Sequence, residues 1–345
     1  MHRPIIAAAA VLLLTGCSAG NAGVPAKESS VPVNRDIFAM DTYMNLRCYG
    51  SSSDEALSEA EERIFQLEKT MSVTDSDSDI SKINASAGSY VQVSTDTSYI
   101  ISKAIETGRD TGGSLDISVY PVLREWGFTT GEYHIPDDKT IASLLENVGY
   151  SNISVDGDKV SIPEGSMIDL GALVKGYTSD SVIDIFRKKG VSSAIVNLGG
   201  NVQTLGTKPD GSLWKVSVRD PFETDKDMCI LEIGEKAVIT SGNYERFFTG
   251  SDGKNYWHII DPSDGYPADN GLVSVTVIGN SGLQCDALST ALFVCGYERA
   301  CEYYSSHKDI DLILVTDDKK IFYTEGISKS FTNVSSMDAE VISSD

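Results

Sequence analysis

The chain has 345 residues, 50 acidic against 28 basic, for a net charge of −22. So acidic a surface repels nucleic acid and anionic lipid, and any phosphate-bearing ligand must be met by a local cation or a metal. With 41% hydrophobic residues the chain can bury a sizeable core, in one large domain or two ordinary ones.

His2 and Arg3 precede an unbroken apolar run from Ile5 to Leu14. That run is too short to span a bilayer, which takes about 20 apolar residues, and it fits a secretory signal. Thr15-Gly16-Cys17 resembles a bacterial lipoprotein processing box. It predicts cleavage after residue 16 and a lipid on Cys17, anchoring the protein at the extracytoplasmic face of the membrane without spanning it. Loss of residues 1–16 removes Arg3 and no acid, which takes the net charge from −22 to −23. Residues 17–35, with Pro25 and Pro32 among small residues, read as a flexible tether. A folded domain is expected over 36–335 and a tail over 336–345.

The domain opens with a strand over Ile37–Tyr49. A helix follows, with Ser52 and Glu55 as a capping box and Leu57, Ala60, Ile64, Leu67 and Met71 on one face. Thr74–Asp79 reads as an acidic loop. Helices are expected over Tyr99–Gly108, Thr140–Val148 and Gly176–Lys189, the last stopped by Gly190. Ile153–Ile162 reads as a hairpin turning at Asp156-Gly157. Strands are expected over Ala194–Leu198, Trp214–Arg219, Cys229–Ile233, Val238–Thr240, Leu272–Ile278 and Asp311–Val315, interrupted by a helix over Leu283–Cys295. Helices and strands do not alternate regularly, which predicts an α+β fold with mixed, largely antiparallel sheets and packed helices. No G-x-G-x-x-G opens a helix after a strand, so the usual dinucleotide fold is excluded. After Cys17 the remaining five cysteines contain no C-x-x-C pair, which argues against a disulfide framework and a zinc site.

Three clusters offer chemistry. Ile168 to Tyr177 leads a strand end into a helix start beside Lys175, either a phosphate seat or an ordinary joint with a solvated lysine. Asp286 and Thr290 are neighbours at i and i+4 on a helix. They supply either hard oxygen ligands for Mg²⁺ or a dipole-favoured acid with its hydroxyl turned to the backbone. His258 is either a proton-transfer group or a satisfied structural histidine.

These clusters recur in order with Met40-Asp41-Thr42, Ser78-Asp79-Ile80-Ser81 and Asn84, and Gly113 to Ser118. Trp126-Gly127-Phe128, Asn197 to Asn201, Arg219-Asp220-Pro221, Thr240-Ser241-Gly242, and His258 to Pro262 with Gly265 complete the series. Across nearly all of the chain beyond residue 16, the sequence closely resembles the ApbE-type FAD:protein FMN transferase family. The resemblance implies a T-fold-like α+β architecture and FAD as substrate. Met40, Thr74, Ser114, Leu115, Asp116, Asp169, Lys175 and Ile260 would line the FAD site. Ala172 through its carbonyl, Asp286, Thr290 and the Ser289 backbone would bind Mg²⁺. His258 matches the histidine tied to transfer. The reaction implied moves FMN from FAD to a Thr or Ser of an acceptor redox protein. Thr74 departs from the pattern, standing where many members carry a tyrosine. Two rival readings share the residues: an FAD pyrophosphatase with water as acceptor, and a flavin-binding lipoprotein without chemistry.

Overall fold

The computed structural model describes residues 31–342; Cys17 and the expected signal segment lie outside the described residues. Among the described residues, no helix is long and apolar enough to cross a membrane.

A nine-stranded sheet organises the chain. Its strands run, in spatial order, Val33–Ala39, Thr42–Cys48, Ala194–Leu198, Asn201–Leu205, Ala237–Gly242, Leu272–Gly279, Asp311–Thr316, Lys320–Thr324 and Asp338–Ile342. Every neighbouring pair is antiparallel except the last, Lys320–Thr324 with Asp338–Ile342. Alternation along Ala237–Gly242 shows how the faces divide. Ala237 and Ile239 join a core with Leu288 and Leu292 of the helix Gly282–Cys295. Val238 turns the other way, onto a core with Trp214, Val216 and Leu231. That second face is covered by a three-stranded sheet of Phe331–Asn333, Asp227–Ile233 and Trp214–Arg219. The fold is therefore α+β, with helices segregated to one face.

The helix Ser53–Met71 buries the face expected for it: Leu57, Ala60 and Ile64 share a core with Val182, Ile183 and Phe186 of the helix Val174–Lys188, while Leu67 and Met71 enter a core with Ile80 and Ile100. The helix Gly282–Cys295 is buried on nearly every side. Its Leu288 and Leu292 face the sheet, while Leu283, Ala287 and Ala291 enter a second core with Ile80, Ile100, Leu115 and Ile168. A helix apolar all round belongs inside a protein, and this one carries Asp286 and Thr290 in with it.

Several expectations need correction. The strand expected over Ile37–Tyr49 is a hairpin: Met40 and Asp41 take left-handed φ of 51° and 57° and form a two-residue turn. Positive φ at both central residues matches the right-handed twist of the flanking strands. The Met40 N–H donates to Glu68 Oε1 at 2.6 Å, which pins the turn to the first helix. Ser52 makes no side-chain cap; instead Ser53 Oγ donates to the Gly50 carbonyl at 2.8 Å. The loop expected over Thr74–Asp79 is present as far as Ser78, which caps a short helix, Asp79–Ala85, that no local pattern had marked. The sheet extends past the expected domain limits of 36 and 335, starting at Val33 and ending with Asp338–Ile342 as its far edge. Backbone pairing that closes a sheet edge leaves little local pattern in so short a strand.

Candidate active site

A cavity of about 880 Å³ lies where the helices Val174–Lys188 and Gly282–Cys295 meet the hairpin turn at Met40, the strand Ala237–Gly242 and the loop around His258. Met40, Thr74, Ser114, Leu115, Asp116, Asp169, Ala172, Lys175, His258, Ile260, Asp286 and Thr290 all line it. The structure thus gathers residues spread over 250 positions of sequence. Ser289 does not line it: fully buried, its hydroxyl donates to the Asp286 carbonyl at 2.9 Å and lies 2.8 Å from Ser241 Oγ.

The two helices touch at glycine. A Cβ on Gly176 would collide with the Gly282 carbonyl and stand 2.6 Å from Asp286 Cβ; one on Gly282 would stand 2.5 Å from the Gly176 oxygen. This close approach lets the Gly176 N–H donate to Asp286 Oδ2 at 2.7 Å. Asn201 Nδ2 donates to Asp286 Oδ1 at 3.0 Å. Burial nonetheless pushes the Asp286 carboxyl up to about 6, against the pull of Lys175 and these two donors. Each carboxylate oxygen retains acceptor capacity, and Asp286 enters no ion pair among the described residues. An uncompensated buried carboxylate is a place for a cation. Thr290 Oγ1, 3.2 Å from Ser241 Oγ, also faces the cavity and not its own helix backbone.

His258 is fixed by one carbonyl. Its Nδ1 lies 3.2 Å from the Arg246 oxygen, and its backbone N–H donates to the same atom at 3.1 Å. A carbonyl only accepts, so Nδ1 carries the proton and Nε2 keeps a free lone pair. Burial, and then the Arg246 charge, hold the ring down to about 4, with Lys175 acting in the same direction. The imidazole is therefore neutral near pH 7, the form a base requires.

The acids divide by environment. Asp116 lines the cavity, but its carboxylate is spent inside the protein: Oδ1 accepts from Ser118 N at 2.8 Å and Ser118 Oγ at 2.6 Å, and Oδ2 from Tyr150 N at 2.7 Å. It is a brace within the fold. Asp169 is pushed up by burial, with the amides of Gly171 and Leu170 and the Arg246 charge opposing. Thr74 places its hydroxyl 3.0 Å from Ser72 Oγ; the rings on the cavity wall are Tyr120, Phe128 and Tyr244.

Several lining residues had no role read from the sequence, charged ones among them. Arg219 opens the motif Arg219-Asp220-Pro221, Glu245 and Arg246 follow shortly after Thr240-Ser241-Gly242, and their charges were the available signal. Burial pushes the Glu245 carboxyl up, with Lys175 and Arg219 opposing. Thr129, directly after Trp126-Gly127-Phe128, also lines the wall, with a buried hydroxyl that has no partner among the described residues.

Fold and cavity together define an α+β enzyme site in which Lys175, Arg219 and Arg246 bring positive charge into an acidic protein beside a neutral imidazole. The sequence profile of the ApbE family matches residues 40–314, and the chain belongs to that family. It is 36% identical over 282 residues to a FAD:protein FMN transferase of Klebsiella pneumoniae, covering 78% of this chain and 85% of that one. The crystal structure of the ApbE protein from Thermotoga maritima superposes with a TM-score of 0.82 at 29% identity, covering 87% of this chain and 99% of that one. The flavin transferase ApbE from Vibrio cholerae gives a TM-score of 0.78 at 28% identity, with the same coverage.

Proposed function

We infer that this protein is an FAD:protein FMN transferase, which cleaves FAD, attaches FMN through a phosphoester to a Thr or Ser of an acceptor redox protein, and releases AMP. One observation carries the reading: a neutral imidazole with a free Nε2 shares a single cavity with the cations a pyrophosphate needs. Relatives bearing that activity in their name cover most of the chain. His258 Nε2 takes the proton of the acceptor hydroxyl. The hydroxyl oxygen bonds to the FMN phosphorus, and the bond from that phosphorus to the AMP oxygen breaks. Lys175, with Arg219 and Arg246, binds and orients the phosphates in an otherwise acidic protein.

The Asp286 carboxylate, the Thr290 hydroxyl and the main-chain carbonyl of Ala172, all on residues that line the cavity, are hard oxygen donors of the kind Mg²⁺ takes. When bound there, Mg²⁺ would neutralise pyrophosphate charge. Upstream, the processing box at Cys17 supports a lipid-anchored protein on the extracytoplasmic face.

The test is incubation with FAD and Mg²⁺, with and without a candidate acceptor, following acceptor mass and free flavin. A mass gain of one FMN on the acceptor, with AMP released, is expected. FMN released at the same rate without acceptor identifies a pyrophosphatase, and intact FAD throughout identifies a binding protein. Lys175→Ala should weaken FAD binding about 10- to 100-fold by fluorescence, the worth of one charge-assisted hydrogen bond.

A further inference from the structure

Asp180 lies on the helix Val174–Lys188, outside the cavity lining, and its carboxylate is fully engaged with the neighbouring elements. Oδ1 accepts from the Gly282 N–H at 2.7 Å and from Gln203 Nε2 at 2.8 Å. Oδ2 accepts from Ser281 Oγ at 2.9 Å and from the Leu283 N–H at 3.0 Å. One side chain thus satisfies two free amides at the start of the helix Gly282–Cys295 and ties that helix to the strand Asn201–Leu205.

The same three elements meet again at Asp286. Gly176, one turn before Asp180, donates to its Oδ2, and Asn201, two residues before Gln203 on the strand, donates to its Oδ1. Ser179 closes the ring, with its hydroxyl 2.8 Å from the Gly176 oxygen and 2.5 Å from Gln203 Oε1. At the contact of Gly176 with Gly282 neither residue has a side chain, so the register of the two helices rests on the polar groups around that contact. The carboxylate clamp supplies that register.

We infer that Asp180 is a positioning residue for flavin transfer: it locks the helix bearing Asp286 and Thr290 against the helix bearing Lys175, so that Asp286 is aimed to receive the divalent cation. The inference rests on the magnesium reading of Asp286 and Thr290. Outer partners of this kind set ligand orientation, and their loss costs about 10- to 100-fold in metal affinity or activity.

The experiment is a MgCl₂ titration of melting temperature without flavin, alongside the Mg²⁺ concentration giving half-maximal FMN transfer. Asp180→Ala should raise both midpoints about 10- to 100-fold. Transfer at saturating Mg²⁺, and FAD binding measured without Mg²⁺, should stay within about two- to threefold, on the view that Lys175 keeps its place. Asp180→Asn keeps the shape and turns an NH₂ toward donors; it should shift the midpoints in the same direction, and it decides the matter if the alanine variant does not fold. A lowered melting temperature with unchanged Mg²⁺ midpoints in the folded variant would reduce Asp180 to a helix cap and overturn the inference. A wild-type protein without any Mg²⁺ response would overturn the metal assignment itself, and this inference with it.

Discussion

At His258 the environment selects the protonation state the chemistry needs. The Arg246 carbonyl holds the proton on Nδ1, and burial with nearby cations keeps the ring neutral. A general base contributes typically 10²–10⁴-fold, so His258→Ala should lower transfer by about that factor with FAD affinity little changed. Single-turnover transfer and flavin fluorescence on one preparation check both halves; loss of FAD binding would instead make His258 a ligand contact. The same depressed pKa is a stability statement. An unfolded histidine titrates near 6.5 and this one near 4, so the fold binds that proton less well than the unfolded chain does. The stabilising contribution is complete above about pH 6.5 and is lost as pH falls toward 4. Relative to His258→Gln, wild type should lose on the order of 1–3 kcal/mol across that window in urea denaturation; parallel curves would contradict the burial of a neutral ring.

Among the elements, the crossing of the helices Val174–Lys188 and Gly282–Cys295 matters most. Gly176→Ala would gain about 1 kcal/mol of helix propensity, yet its methyl would meet a backbone carbonyl that no rotamer change can move. Overpacking of this kind costs about 1–3 kcal/mol, and here it would part Asp286 from the Gly176 amide. A net loss of stability with reduced Mg²⁺ response is expected; a variant as stable and as active as wild type would show the crossing to be loose. The far edge of the sheet offers a second test. Met337 and Ile342 are both buried, and Asp338–Ile342 pairs along all five residues with Lys320–Thr324. Deleting residues 337–345 should cost about 3–6 kcal/mol, from two buried side chains at about 1.5–3 each. An unchanged melting temperature would return that segment to the status of a tail.

For the molecule as a whole, the charge of −22 makes the cavity cations conspicuous and membrane adhesion by surface charge unfavourable. On the proposed lipid anchor at Cys17, Cys17→Ser should move the protein from the membrane fraction to the soluble fraction with transfer activity intact. Wild-type protein found with an unmodified Cys17 would remove the lipid. Much of the rest was legible in local pattern. Ala194–Leu198 and Trp214–Arg219 stand where their alternation places them, and the helix Leu283–Cys295 is one residue short of its observed start. The lining residues were legible as an ordered series of motifs resembling a family, since Met40, Leu115, Ala172 and Ile260 carry no charge or hydroxyl that would mark them singly.

What the sequence determined by itself was the inventory: an acidic chain, an α+β pattern, and the residue types able to hold phosphate, metal and proton. Local interactions span a few residues, so they reveal a helix face or a strand alternation directly. The tertiary structure decided which of those residues act together and in what state. Asp116 and Asp286 are both buried acids in the sequence motifs, yet one is consumed by Ser118 and Tyr150 while the other keeps acceptor capacity toward the cavity. The proton on His258, the turn at Met40 and the hold of Asp180 on Gly282 likewise depend on partners 12, 28 and 102 positions away. Such choices lie in the distances between groups far apart in sequence, which only the packed chain fixes.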